Sequence, residues 1–165
     1  MLRREQVIGV VSTWDIRKGK GGFSLLFFAG DESEGYSLLI TDLRIVGSFR
    51  AEYPDDFCAY LGPDSPSDPE LQHRAEAEAL KIIAKKDFEI PKDKLVKLLY
   101  EPPTTYLGGR LLLIEAGHRV ELKVTLLSPF NPGVIATTDT LVRSLVAFAP
   151  GRVFNERTGE PVKAP

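Results

Sequence analysis

The chain is poor in the residues that most often carry chemistry. Among 165 residues it has one cysteine, Cys58, and two histidines, His73 and His118. A lone cysteine excludes an internal disulfide framework and a zinc site of the paired Cys-x-x-Cys type. Two histidines do not furnish a His-rich metal centre, so no metal and no cofactor is expected. This thiol usage fits a reducing, cytoplasmic compartment. No apolar run approaches the length of about 18 residues that a membrane helix needs. The run Val7 to Val11 is too short for a secretory core and meets Trp14-Asp15, so Arg3 and Arg4 do not open a signal segment. Neither charge dominates: 21 Lys and Arg stand against 23 Asp and Glu, a net charge of −2. Proteins that grip nucleic acid through many phosphates are usually basic, so nucleic acid is not an expected partner. There is no internal repeat and no low-complexity tract.

What is present is an ordinary globular balance, 43% hydrophobic and 27% charged, at a length that suits one domain. The β-branched run QVIGVVSTW (6–14) reads as a strand, and GFSLLFFA (22–29) as a second. YSLLIT (36–41) and RIVGSFR (44–50) read as a third and fourth, joined by a tight corner at Asp42-Leu43. Residues 51–70 hold four prolines and four aspartates and read as a long surface loop. Asp68 then supplies an N-cap and Pro69 a first helical residue for an alanine-rich helix over 69–86. Leu71, Ala75, Ala79, Ile82 and Ile83 trace its apolar face.

A fifth strand is centred on Leu95 to Tyr100, between Pro91 and Pro102-Pro103. RLLLIE (110–115) is a sixth. HRVELKVTLL (118–127) alternates Val120, Leu122, Val124 and Leu126 and is a seventh. Thr138 or Asp139 caps a closing amphipathic helix over Thr140 to Phe148, and the polar tail 150–165 is expected to be loose at its end. The fold class is therefore mainly β (α+β). About seven antiparallel strands form a partly open barrel closed by the C-terminal helix, with one helix inserted between strands four and five.

Two stretches carry a family resemblance. In GYSLLITDLRIVGSF (35–49), Thr41, Asp42 and Arg44 stand at a turn between apolar runs. In FEIPKDKLVKLLYE (88–101), an Ile-Pro precedes a polar pair and an apolar strand. With the closing helix, this order resembles the pleckstrin-homology-like superfold, in its GRAM and bacterial PH-like branches, over about residues 6–149. Residues 51–87 replace what is a short loop in that family. The resemblance implies a non-catalytic interaction module, and some such relatives are homo-oligomers. In phosphoinositide-reading members the loop after the first strand supplies basic residues, and by position Arg17, Lys18 and Lys20 resemble that supply.

The candidate sites follow. The segment IRKGKGG (16–22) sets Arg17, Lys18 and Lys20 among three glycines. Either it is a solvated hairpin turn, or its cations and backbone N–H groups hold an anionic phosphate or lipid headgroup. Phe27 and Phe28 face opposite sides of the strand that Phe23 opens: either that sheet is buried on both faces, partly under the inserted helix, or an exposed member marks a surface for a protein partner or for self-assembly. Short sequence motifs for phosphate loops fail here. GDESEG (30–35) has P-loop glycine spacing, but Tyr36 occupies the lysine position and three acids repel phosphate. Asp55, Asp56, Asp64, Asp68 and Glu70 lack the alternation of a calcium loop. Cys58 reads as a small buried hydrophobe. No nucleophile–base pair stands out, so an enzyme is the third reading, behind protein contact and anion binding.

Overall fold

The computed structural model describes residues 4–13, 15–18, 35–49, 56–124 and 132–165. Within them the chain is mainly β, with ten strands and two helices arranged as two five-stranded sheets. The first sheet has the order β5-β1-β3-β4-β6, formed by β1 (Val7–Thr13), β3 (Tyr36–Thr41), β4 (Arg44–Phe49), β5 (Phe57–Tyr60) and β6 (Phe88–Pro91). The second has the order β10-β7-β8-β9-β2. Its strands are β2 (Ile16–Lys18), β7 (Leu95–Glu101), β8 (Gly109–Glu115), β9 (His118–Val124) and β10 (Val153–Asn155). Helix α1 spans Pro69–Ala84 and α2 spans Pro132–Phe148.

Two corners join the sheets. The chain leaves the first sheet at Thr13 and enters the second at Ile16. It crosses again between Pro91 and Leu95, where Lys94 donates its N–H to the Pro91 carbonyl and Leu95 to that of Lys92. Proline at the end of β6 is tolerated because β6 is an edge strand, where a missing N–H breaks no ladder. Strands that switch sheets at bends are the usual corners of crossed-sheet packings. The described strands do not close into a complete barrel.

Burial follows from this layering. The main core lies between the sheets. Ile8, Val11, Leu38, Ile40, Ile45 and Ile90 come from the first sheet, and Leu98, Leu111, Leu113 and Leu122 from the second. Helix α2 adds Leu141, Val142, Leu145 and Phe148 to the same cluster and packs on β1 and β5. A second cluster forms where α1 covers the other face of the first sheet, with Val10, Leu39, Val46 and Ala59 meeting Ala75, Ala79 and Ile82. The first sheet is thus covered on both faces, which is why every residue of VIGVVST and YSLLIT is buried and why neither run alternates. β9 keeps the period of two, with Val120, Leu122 and Val124 facing the core; in β8 Leu111 and Leu113 face it too, but Leu112 between them is also buried.

Several sequence expectations hold. Helix α1 starts at its cap: the Asp68 carboxylate accepts from the N–H groups of Glu70 and Leu71, and Pro69 is the first helical residue. The corner after β3 is built by Thr41, whose Oγ1 accepts from the N–H groups of Leu43 and Arg44. Asp42 accepts from the Gln6 N–H at 2.8 Å. Arg44 bridges Glu5 and Glu89 at 3.0 Å each, tying β4 to the residues before β1 and to β6.

Others need correction. The loop 51–70 contains a strand, β5, which pairs with β1 and forms an edge of the first sheet. The segment before Leu95 contributes a strand of its own, β6, to the opposite sheet from β7. Helix α2 begins at Pro132, six residues earlier than the Thr138 cap, because Pro is accepted in a first turn that has no N–H partner to lose. The tail after α2 carries a strand that the sequence reading does not include. β10 runs parallel to β7 with Val153 buried, and the Val162 N–H donates back to the Val153 carbonyl.

Candidate contact surface on the second sheet

β7 and β8 form a hairpin whose last pair is Glu101 and Arg110. The turn between them reads PPTTYLGG (102–109). Thr104 organises it: its Oγ1 accepts from the N–H groups of Tyr106 and Leu107, and its own N–H donates to the Leu107 carbonyl at 2.7 Å. Pro102 and Pro103 restrict the backbone on one side. On the other side Gly109 is squeezed: a Cβ there would sit 2.6 Å from the Pro103 nitrogen and inside contact of the Glu101 carbonyl. The turn is therefore held in one shape by backbone packing and by a hydroxyl that satisfies its amides. On it stand Tyr106, 87% exposed, and Leu107, 56% exposed.

The outer face of the second sheet adjoins this turn. Register places Arg17 of β2 opposite Lys123 of β9, Lys123 opposite Arg110 of β8, and Arg110 opposite Glu101 of β7. In the next row Glu121, Leu112, Leu99 and Phe154 lie side by side, and in the third Arg119, Ile114 and Lys97. Arg110 is held by Glu156 through two nitrogens and by Glu121 at 3.5 Å, and Arg157 is paired with Glu101. On and beside this face Arg17, Lys97, Arg110, Arg119, Lys123 and Arg157 stand against Glu101, Glu121 and Glu156. The face is thus cationic on a chain whose net charge is −2. Cross-strand like charges cost stability, and the acids relieve that cost at Arg110.

The residues singled out from the sequence fall as follows. Arg17 is in β2, and Lys18 occupies the same strand opposite Leu122. The first three residues of IRKGKGG are therefore strand, not turn, and they pair with β9 in the second sheet. Lys20 and the aromatic set Phe23, Phe27 and Phe28 lie outside the described residues. Sequence reasoning missed Tyr106 and Leu107, because Leu-Gly-Gly reads as turn chemistry alone. The available signal was two bulky apolar side chains inside a turn bounded by Pro-Pro and Gly-Gly.

Polar groups elsewhere contact one another away from this face. The Thr137 hydroxyl donates to the Asp15 carboxylate at 3.1 Å and lies 3.7 Å from the Cys58 sulfur. Burial raises the Asp15 carboxyl above its ordinary range against the opposing pull of the Thr137 bond. Burial likewise raises the Cys58 thiol, the reverse of what a nucleophile needs. Under α1, Ser12 and Ser37 share a 2.7 Å hydrogen bond, and Ser12 donates to Glu78 at 3.0 Å. The Tyr60 phenol, donating to Asp64, is pushed up to about 12 by burial and by that carboxylate, and Arg143 lies over its ring. His73 is exposed on α1, and His118 stands 3.2 Å from Glu115 at the β8–β9 turn. A cleft of about 430 Å³ opens between the β1 approach and the α1 start, lined by Glu5, Gln6, Ser67, Asp68, Gln72 and Glu76 among others. Among the described residues no group of three or more His, Cys, Asp or Glu is placed to hold a metal ion. Among them, too, no helix is long and apolar enough to cross a membrane.

No family model, curated protein or solved structure matches the chain.

Proposed function

We propose that the protein is a non-catalytic interaction module that works by surface contact, anchored at the β7–β8 turn. The observation that carries this reading is the exposure of Tyr106 and Leu107 on a turn whose backbone is already fixed. Two large apolar side chains standing in solvent are useful to a complex, and because the turn's backbone is already fixed their contact area is gained without ordering a loop. The sequence suggests a protein partner or a second copy, on a partly open barrel of the pleckstrin-homology-like kind. The two corners between the sheets and the seating of α2 against their common core support that architecture. A second reading, binding of an anionic phosphate group beside Arg17, is favoured by the register that sets Arg17, Lys123 and Arg110 in one row.

The test uses the full chain with a photoreactive benzoylphenylalanine at position 106, compared with the same group at position 80. Leu80 is also exposed, but on the outer side of α1. Contact through the turn gives adducts, to protein or to lipid, that concentrate at position 106. In the self-assembly form, sedimentation shows a mass above the monomer that Tyr106→Ser/Leu107→Ser abolishes. Equal adducts at both positions together with a monomer at high concentration would overturn the reading.

A further inference from the structure

The partner chemistry of this turn follows from its shape and surroundings, and the inference rests on the contact reading above. The turn is convex and offers two large side chains. A stable protein–protein interface buries about 800 Å² on each partner, and one tyrosine with one leucine supplies a fraction of that. A soft apolar phase is a better match, since two side chains enter it without a shaped counter-surface. Entry into such a phase is penalised for every unpaired backbone group. Here the N–H groups of Tyr106 and Leu107 are bonded to Thr104 Oγ1, and the Leu107 carbonyl to the Thr104 N–H. Pro102 and Pro103 have no N–H to satisfy. The N–H groups of the two inserting residues and the Leu107 carbonyl are therefore already paired, which lowers the cost of moving those groups out of water. Tyrosine is also a residue type favoured where an apolar phase meets water.

Charge selects among apolar phases. Arg110 follows the turn directly, and the row that begins with it continues through Lys123 to Arg17. Arg119 and Lys97 lie two rows further along the same face. A surface carrying negative charge at its boundary and hydrocarbon behind it complements both features. We infer that the β7–β8 turn inserts Tyr106 and Leu107 into the interface of an anionic lipid bilayer. The cations of the adjoining sheet face then rest on its headgroups. The contact is interfacial and shallow, and it does not span the membrane.

The experiment is vesicle flotation of the full chain at low and at physiological salt. The probes are phosphatidylcholine vesicles and vesicles in which about a third of the lipid is phosphatidylserine. The wild type is expected on the anionic vesicles and not on the neutral ones, with weaker binding as salt rises. Tyr106→Ser/Leu107→Ser is expected to lose binding about tenfold or more. Lys123→Ala and Lys97→Ala are each expected to lose about fivefold, the effect of one cation near a charged surface. Tyr106→Trp is expected to shift its fluorescence to the blue on anionic vesicles and to be quenched by brominated acyl chains. All of these positions are at the surface, and circular dichroism checks that each variant is folded.

No flotation on anionic vesicles at low salt would overturn the inference. So would flotation that Tyr106→Ser/Leu107→Ser leaves unchanged, because that is headgroup attraction without insertion. Full competition by inorganic phosphate, with no fluorescence shift at position 106, would assign the cations to a soluble anion and overturn it too. If vesicles fail while position 106 still cross-links to a protein, the turn is a protein-docking site and the contact reading stands. If both fail, neither survives.

Discussion

Replacing Gly9 by alanine tests how α2 is seated on the first sheet. Gly9 lies in β1, and its missing side chain leaves room for Ser144 of α2. A Cβ built on Gly9 would sit 2.7 Å from the Ser144 Cβ and closer still to its hydroxyl oxygen. Ser144 is fully buried, and its Oγ donates to the Thr140 carbonyl at 2.6 Å within the helix. The hydroxyl can turn away, but the Cβ moves only with the helix. Because α2 carries Leu141, Leu145 and Phe148 into the main core, shifting it disturbs that packing. Overpacking of this kind costs about 1–3 kcal/mol. For a chain of this length each kcal/mol lowers Tm by roughly 2–4 °C, so Gly9→Ala should melt about 2–12 °C lower. The cause is isolated by a double-mutant cycle. Ser144→Ala removes the oxygen but keeps the clashing Cβ, so it relieves Gly9→Ala in part. Ser144→Gly costs on the order of 0.5 kcal/mol in helix propensity and relieves it almost fully. Urea unfolding of the four proteins gives the coupling. Additivity of Gly9→Ala and Ser144→Gly within about 0.5 kcal/mol would show that the two sites do not touch, and the account of α2 packing would fall.

Asp68→Ala removes the cap that accepts from two amides of α1 and should cost about 1 kcal/mol in urea unfolding, with Asp68→Asn keeping most of it; an unchanged midpoint would mean that α1 is held by Ala75, Ala79 and Ile82 alone. The pH dependence should split two acids. Burial raises the folded-state pKa of Asp15, so its ionised form is a cost that is present at neutral pH and vanishes as both states become protonated. Asp15→Asn keeps the acceptor for Thr137 and should match or exceed wild-type stability near neutral pH, the advantage fading toward about pH 3. Glu89 shows the opposite sign. Its bond with Lys86, and after it that with Arg44, lowers the folded-state pKa. Its contribution is complete above the unfolded value and is lost as pH falls through the folded one. Glu89→Gln should therefore be less stable than wild type near neutral pH and converge with it in acid. Parallel pH profiles for the two variants would contradict the assignment.

Local chemistry wrote much of the fold. Asp68-Pro69 and the alanine-rich run that follows specify α1, because a cap, an N-terminal proline and helix propensity act within a few residues. Thr41-Asp42 specifies the β3–β4 corner for the same reason, since its bonds close over two or three positions. The alternation of HRVELKV specifies a strand with one face on the core. Other features depend on contacts far apart in sequence. β5 and β6 are four residues each, and nothing in FCAY or FEIP separates strand from loop until β1 and β4 provide the ladders. β2 reads as the start of a glycine-rich turn because its partner is β9, more than a hundred residues away. The contact surface divides in the same way. Arg17 was visible as a cation by composition, but its row with Lys123 and Arg110 exists only through the register of three strands. The turn at 102–109 was visible as a turn. That it points Tyr106 and Leu107 into solvent was decided by tertiary structure, since exposure is a property of what fails to pack against a residue and no local pattern encodes it.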